Sequence, residues 1–214
     1  MALIQRTGTY GTYWGDEQNS SQALTQAQME VNATYIYNYL SAQGWALNAI
    51  AGILGNMQWE SSINPGRWQG NNVGTGPGYG LVQWTPYTKY TDWSGIVGDY
   101  STMDNNLNRI IYELQNNLQW ISTNDYPLSF ANFTQSTATP YYLACAFAWN
   151  YERSAVVISG TPEQKEALRR RRGGSANDWY VYLGGPTPPT PSTYYKGKFN
   201  FVLFNKRRRN YGQR

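Results

Sequence analysis

The chain has 214 residues, of which 16% are aromatic (19 Tyr, 9 Trp, 6 Phe) and only 14% charged, with a net charge of +4. It contains no histidine and one cysteine, Cys145. That excludes Ser-His-Asp and Cys-His nucleophilic catalysis, an internal disulfide, and a zinc hydrolase of the usual histidine- or thiolate-ligated kind. Chemistry is left to carboxylates, Tyr, Lys, Arg and amides, and neither a cofactor nor a metal is expected. No run of about 18 apolar residues is present, so no membrane span is expected. The start, MALIQRTGTYGTYWGDEQ, lacks the apolar core of a secretory signal. Residues 196–214 hold seven basic side chains and no acid, while the preceding 195 residues hold ten basic and thirteen acidic ones, a net −3. The basic character therefore belongs to the tail.

In chain order, residues 1–25 are polar and glycine-rich without a clear period and read as an arm. Thr25-x-x-Gln28 is a capping-box pattern that opens a helix, with Met29, Ala33, Ile36 and Leu40 at helical spacing and Gly44 at its end. A second helix is predicted over 45–60, its apolar stripe made of Ala46, Ala49, Ile50, Ile53 and Met57. Residues 66–80 read as a loop or hairpin and Leu81–Trp84 as a short extended segment. Further helices are predicted over 101–122, 138–153 and 161–172, with a last short one at 177–183. Cys145, in YYLACAFAW, reads as a small buried hydrophobe. The run Arg169-Arg170-Arg171-Arg172 before Gly173-Gly174 reads as basic residues at a helix C-terminus. GGPTPPTPST opens a proline-rich linker over 184–195, and 196–214 form the basic tail.

Glu60 stands out. At about 100° per residue it falls on the side of Ile53 and Met57, so the helix carries a carboxyl on the face it buries. Burial and the negative end of the helix both disfavour a charged carboxylate, which suits a general acid able to protonate a leaving oxygen. The competing role is structural: a carboxylate that caps the next turn, SSINP.

The surroundings of Glu60 carry a resemblance. In ESSINPGRWQG…GYGLVQWTP, a helix ending in Glu60-Ser61 is followed by Asn64-Pro65 and then by Gly78-Tyr79-Gly80-Leu81-Val82-Gln83-Trp84. This resembles the phage tail lysozyme family and, more distantly, goose-type lysozymes and lytic transglycosylases. A third block, AFAWNYERS, is similar to the family's late helix and places Trp149-Asn150 where transglycosylases have Tyr-Asn. The resemblance spans roughly residues 26–183 and implies a lysozyme-like domain of α+β class, mostly α, with a small hairpin or extended region.

It also implies cleavage of the β-1,4 bond between N-acetylmuramic acid and N-acetylglucosamine, with Glu60 as general acid. Ser61 and Asn64 would brace the turn, and Gly78 and Gly80 would let the backbone approach sugar. Gln83 would bond an acetamido group or the scissile region, and Tyr79, Trp84 and Trp68 would stack on sugar faces, with packing in the core as the alternative for each and an equal one for Trp84. Asn150 and Tyr151 would complete the binding residues, and Tyr151-Glu152-Arg153 reads as a polar cluster on the cleft floor. Glycosidases usually pair two carboxylates, and Asp92 is the nearest candidate partner, ahead of Asp99 and Asp104. Without a partner, either a positioned water attacks the sugar or the muramic 6-hydroxyl attacks internally.

The partners this implies are bacterial peptidoglycan and other phage tail proteins, in a virion tail tip or knob that opens the cell wall for DNA entry. A glycan-gripping structural knob component and a soluble endolysin are the alternatives. A third is a DNA contact through 196–214, where basic and aromatic residues interleave.

Overall fold

The computed structural model describes residues 3–18 and 20–187. The expectations for the proline-rich linker beyond Thr187 and for the basic tail lie outside these residues. The described part is mostly helical, with one two-stranded sheet. No helix in it is long and apolar enough to cross a membrane.

The first departure from the sequence reading is at the N-terminus. The segment read as an arm is a hairpin of strands β1 (Leu3–Gly8) and β2 (Gly11–Asp16), antiparallel, with Gly8 opposite Gly11. It packs on the first helix: Tyr13 is buried against Tyr35, and Asn32 holds Trp14 through its backbone N–H and carbonyl, both at 2.7 Å. Arg6 pairs with Asp99 at 2.7 Å. The segment has too few apolar residues to announce itself as a strand pair, because tyrosines supply its buried side. The two-stranded sheet is therefore here, while 66–80 is the expected loop, its ends meeting in an isolated antiparallel bridge of Trp68 with Tyr79 and a 2.9 Å bond from Gln69 N to Gly78 O. Leu81–Trp84 is a turn, with Gln83 at φ 52°.

Helix α1 (Gln26–Ala42) begins with the expected capping box, Thr25 and Gln28 each bonding the other's backbone N–H. Helix α2 (Leu47–Ser61) is the centre of the domain. Its residues 49–57 are all buried, so it is wrapped on every side and not only along the expected stripe. Three helices close around it: α1, α6 (Pro140–Phe147) and α8 (Pro162–Tyr182). Two glycines permit the approach. A Cβ on Gly52 would stand 3.0 Å from Leu143 Cβ, and one on Gly55 would stand 2.6 Å from the Arg172 carbonyl oxygen. Between α2 and α6 the buried Asn56 donates to the Gly52 and Ala144 carbonyls.

Three short helices, α3 (Thr88–Thr91), α5 (Phe130–Thr134) and α7 (Ala155–Ser159), and the longer α4 (Met103–Gln115) complete the set. The helix predicted over 138–153 is α6 followed by a π turn at Ala148–Glu152, closed by Arg153 N bonding the Ala148 carbonyl at 2.9 Å. The two helices predicted at 161–172 and 177–183 are one helix, α8. Gly173 does not break it; the glycine lets the ring of Tyr141 lie against the helix, 2.3 Å from where a Cβ would be. The arginine run therefore sits mid-helix. Cys145 is buried as expected, and burial pushes its thiol up to about 12.

Replacing Gly55 by Ala should lower the unfolding free energy by about 1–3 kcal/mol, since the new methyl meets backbone across a closed interface. Gly174→Ala, with open space at the Cβ position, should raise it by about 0.5–1 kcal/mol. Urea denaturation of both variants checks this; equal effects of the two would contradict the packing account.

Candidate functional site

A cleft of about 750 Å³ opens at the C-terminal end of α2. One wall comes from that helix end and the π turn, with Trp59, Glu60, Glu152 and Arg153. The other comes from Arg67 to Gly70 and Val82 to Thr85.

Glu60 is the last but one residue of α2, and its side chain is 23% exposed. The turn after it is braced as the sequence suggested. Ser61 Oγ donates to the Met57 and Leu81 carbonyls at 3.1 and 2.9 Å. Ser62 and Ile63 take left-handed backbone. Asn64 uses every bonding position: its amide donates to Asp16 and to the Gln22 carbonyl, and its oxygen accepts from the backbone of Gly66 and Asp16. The hairpin thus holds the turn that ends α2.

Arg172, from α8, reaches beneath Glu60. Its guanidinium is 6% exposed, donates to the Asn56 carbonyl at 2.8 Å and to Glu60 Oε1, and lies 3.5 Å from Glu152 Oε2. Glu60 is therefore paired with an arginine from a distant helix. Glu152 is 6% exposed, and its Oε1 has no hydrogen-bond partner. Burial pushes its carboxyl up, Arg172 opposes this, and the neighbouring Glu60 adds to it; the result is about 8.

The four arginines have four different environments. Arg169 lies 4.4 Å from the Trp149 ring centre and donates to Tyr126 Oη. Arg170 bonds Glu166. Arg171 lies 4.9 Å from the ring centre of Trp59, whose indole N–H donates to Ser175. Only Arg172 falls on the buried stripe of Leu168, Ala176 and Trp179, and that spacing is the signal by which the sequence could have singled it out.

Of the residues expected to bind sugar, Gln83, Trp84 and Tyr151 line the cleft along with Trp68. Gln83 turns its amide N–H groups inward to the Arg67 and Gly80 carbonyls. Trp84 is 3% exposed; it stacks on Tyr90 and donates to Glu113 Oε1 at 3.0 Å. Its ring is a core element with an edge at the cleft, so it has no open face for a sugar. Tyr151 is likewise buried and donates to Glu113 Oε2.

Tyr79 is fully buried among Trp68, Tyr90 and Tyr100 and does not line the cleft. Neither do Ser61, Asn64 and Asn150, which are buried braces; Asn150 ties the loop at Thr123 and Tyr126. Gly80, at φ +79°, is required by the close approach of Asn106 and Trp84, not by an open surface. Asp92 is exposed at the end of α3 and away from the cleft lining. The aromatic surface the sequence reading missed is Trp59, 48% exposed beside Glu60. A Trp one position before the candidate acid is the signal that was available.

A family model described as phage tail lysozyme matches residues 31–183. Morphogenesis protein 1 of Bacillus phage B103 is 46% identical over 166 residues, which make up 76% of this chain and 42% of that protein. The chain thus spans under half the length of that relative.

The raised carboxyl of Glu152 has a consequence for stability. The folded state holds this proton up to about pH 8, whereas the unfolded chain releases it near 4.5. Between those values the folded state binds more protons, so the contribution of Glu152 to stability falls as pH rises, by up to about 1.4 kcal/mol per pH unit, and is constant above the window. Subtracting the unfolding free energy of Glu152→Gln from that of the wild type should give a difference that declines from pH 5 to pH 8. A difference independent of pH would contradict it.

Proposed function

Because the chain belongs to the phage tail lysozyme family, we propose that its cleft cuts the β-1,4 bond between N-acetylmuramic acid and N-acetylglucosamine in bacterial peptidoglycan, with Glu60 as the general acid. The observation that carries this reading is the position of Glu60: a partly exposed carboxyl at the end of the helix whose residues 49–57 are all buried, opening into the cleft beside an exposed tryptophan. Trp59 supplies the flat apolar face on which a sugar ring stacks. Arg67, Lys89 and Arg153 add three cationic side chains to the lining, which suits a polymer carrying peptide carboxylates.

Glu60 protonates the departing glycosidic oxygen, and Arg172 stabilises the carboxylate that results. Among the described residues, the only other carboxyl in the lining is Glu152, which shares Arg172 with Glu60 and so stands on the same side of the cleft. Two carboxylates that flank a glycosidic bond are not the arrangement here, and Asp92 is not placed to act. Attack by a water held on the far wall and internal attack by the muramic 6-hydroxyl are the two routes this geometry favours.

In the setting of an infecting particle, the reaction opens the cell wall for DNA passage, with the protein carried in the virion tail. A second reading draws on the name of the B103 relative, a morphogenesis protein: a structural tail component that grips glycan without cutting it.

Digestion of purified peptidoglycan by wild type and Glu60→Gln, read by mass spectrometry of the released muropeptides, separates these. We expect release by the wild type and at least a hundredfold less by the variant. Reducing muramic ends identify water as the nucleophile; fragments lighter by one water identify the 6-hydroxyl. No fragments from the folded wild type would leave the glycan-gripping component.

A further inference from the structure

Glu152 has no place in the mechanism above, yet it is the more deeply buried of the two carboxyls in the cleft lining. Its surroundings do not suit a carboxylate. Oε1 meets no donor, and Oε2 lies 3.5 Å from Arg172 Nη2, beyond a good hydrogen bond. The same Nη2 donates to Glu60. One guanidinium nitrogen therefore serves two carboxyls, and one positive charge cannot balance two negative ones in a site this enclosed. A protonated Glu152 resolves the imbalance. Its O–H becomes a donor, and the nearest carboxylate to receive it is Glu60.

The backbone enforces the meeting. The π turn at Ala148–Glu152 departs from the helical path of α6, and Arg153 follows in left-handed conformation at φ 47°. Single π turns of this sort recur at functional sites. The groups acting on Glu152 come from two elements, Glu60 from α2 and Arg172 from α8. Arg153 follows it in the chain, and Arg67 and Lys89 stand in the wider cleft lining.

We propose that Glu152 is a positioning residue for Glu60: the two carboxyls share one proton over the Arg172 guanidinium, so that the pair keeps an acidic proton at the cleft at neutral pH. This rests on the reading of Glu60 as the general acid. A lone carboxyl beside a guanidinium is drawn towards the carboxylate form. The second carboxyl offsets that pull, because the pair gives up its last proton only by placing two negative charges side by side.

Replacing Glu152 by Gln removes the second charge and keeps the shape. Arg172 then faces a single carboxyl, and the site gives up its proton at lower pH than the pair does. The alkaline limb of the pH profile of kcat/KM on peptidoglycan should move to lower pH by one unit or more, leaving the variant more than tenfold below wild type at pH 8 and near it at pH 5. Glu152→Asp, which restores a carboxyl, should return the limb towards its wild-type position. A uniform loss across all pH values in the folded Gln variant would overturn the proposal.

A second readout needs no activity. In carbon-detected NMR of the full chain with labelled glutamate, one side-chain carboxyl resonance should titrate between pH 7 and 9. It should vanish from that window in Glu152→Gln and shift in Glu60→Gln. A wild type that is inactive on peptidoglycan but shows this coupled titration defeats the glycosidase reading and leaves the shared proton standing. An active wild type without the coupled titration defeats the shared proton alone.

Discussion

The guanidinium of Arg172 joins the parts of this protein that matter most to one another. It bonds the carbonyl of Asn56 within α2, the carboxyl of Glu60 at the end of that helix, and it lies against Glu152 in the π turn. It does so only because α8 lies directly on α2, and that contact exists because residue 55 has no side chain. Burying an arginine is costly unless its charge is met by partners in good geometry. Here the bonded partners are the Glu60 carboxyl and the Asn56 carbonyl, with Glu152 at 3.5 Å, so the demands of the core and the arrangement of the site are met by the same group.

The rest of the domain serves to present this arrangement. The N-terminal hairpin holds the turn after Glu60 through Asp16 and Asn64. Glu113 collects the indole of Trp84, the hydroxyl of Tyr151 and the guanidinium of Arg109 beneath the cleft. Many aromatic side chains form the structure around the cleft, and Trp59 is the one left open beside Glu60. A tyrosine- and tryptophan-rich composition here means chiefly an aromatic core.

What was legible in the sequence was local. The Thr25 capping box, the buried course of α2 and the position of Glu60 on its buried side depend on residues within a few turns of each other. The braces Ser61 and Asn64 came from the family resemblance and not from any local rule. What was not legible depends on distant partners. Gly173-Gly174 reads as a helix end until Tyr141 is seen to need the space. Four consecutive arginines look alike until Asn56 and Glu60 of α2 are found bonded to Arg172. Trp84 and Tyr79 read as sugar platforms until Tyr90 is found against both. Glu152 was seen as part of a polar cluster, but its meeting with Glu60 arises from two segments 92 residues apart and a π turn that no simple period reveals.

The central claim, that a glycan strand lies across this cleft with its scissile oxygen at residue 60, is tested most directly by a crystal structure of Glu60→Gln with a peptidoglycan glycan oligomer. The account predicts a sugar chain between Trp59 and the wall of Arg67 and Gln83, with one glycosidic oxygen within hydrogen-bond distance of the Gln side chain at position 60. A glycan bound elsewhere on the surface, or lying in the cleft with every glycosidic oxygen out of reach of that side chain, would contradict it.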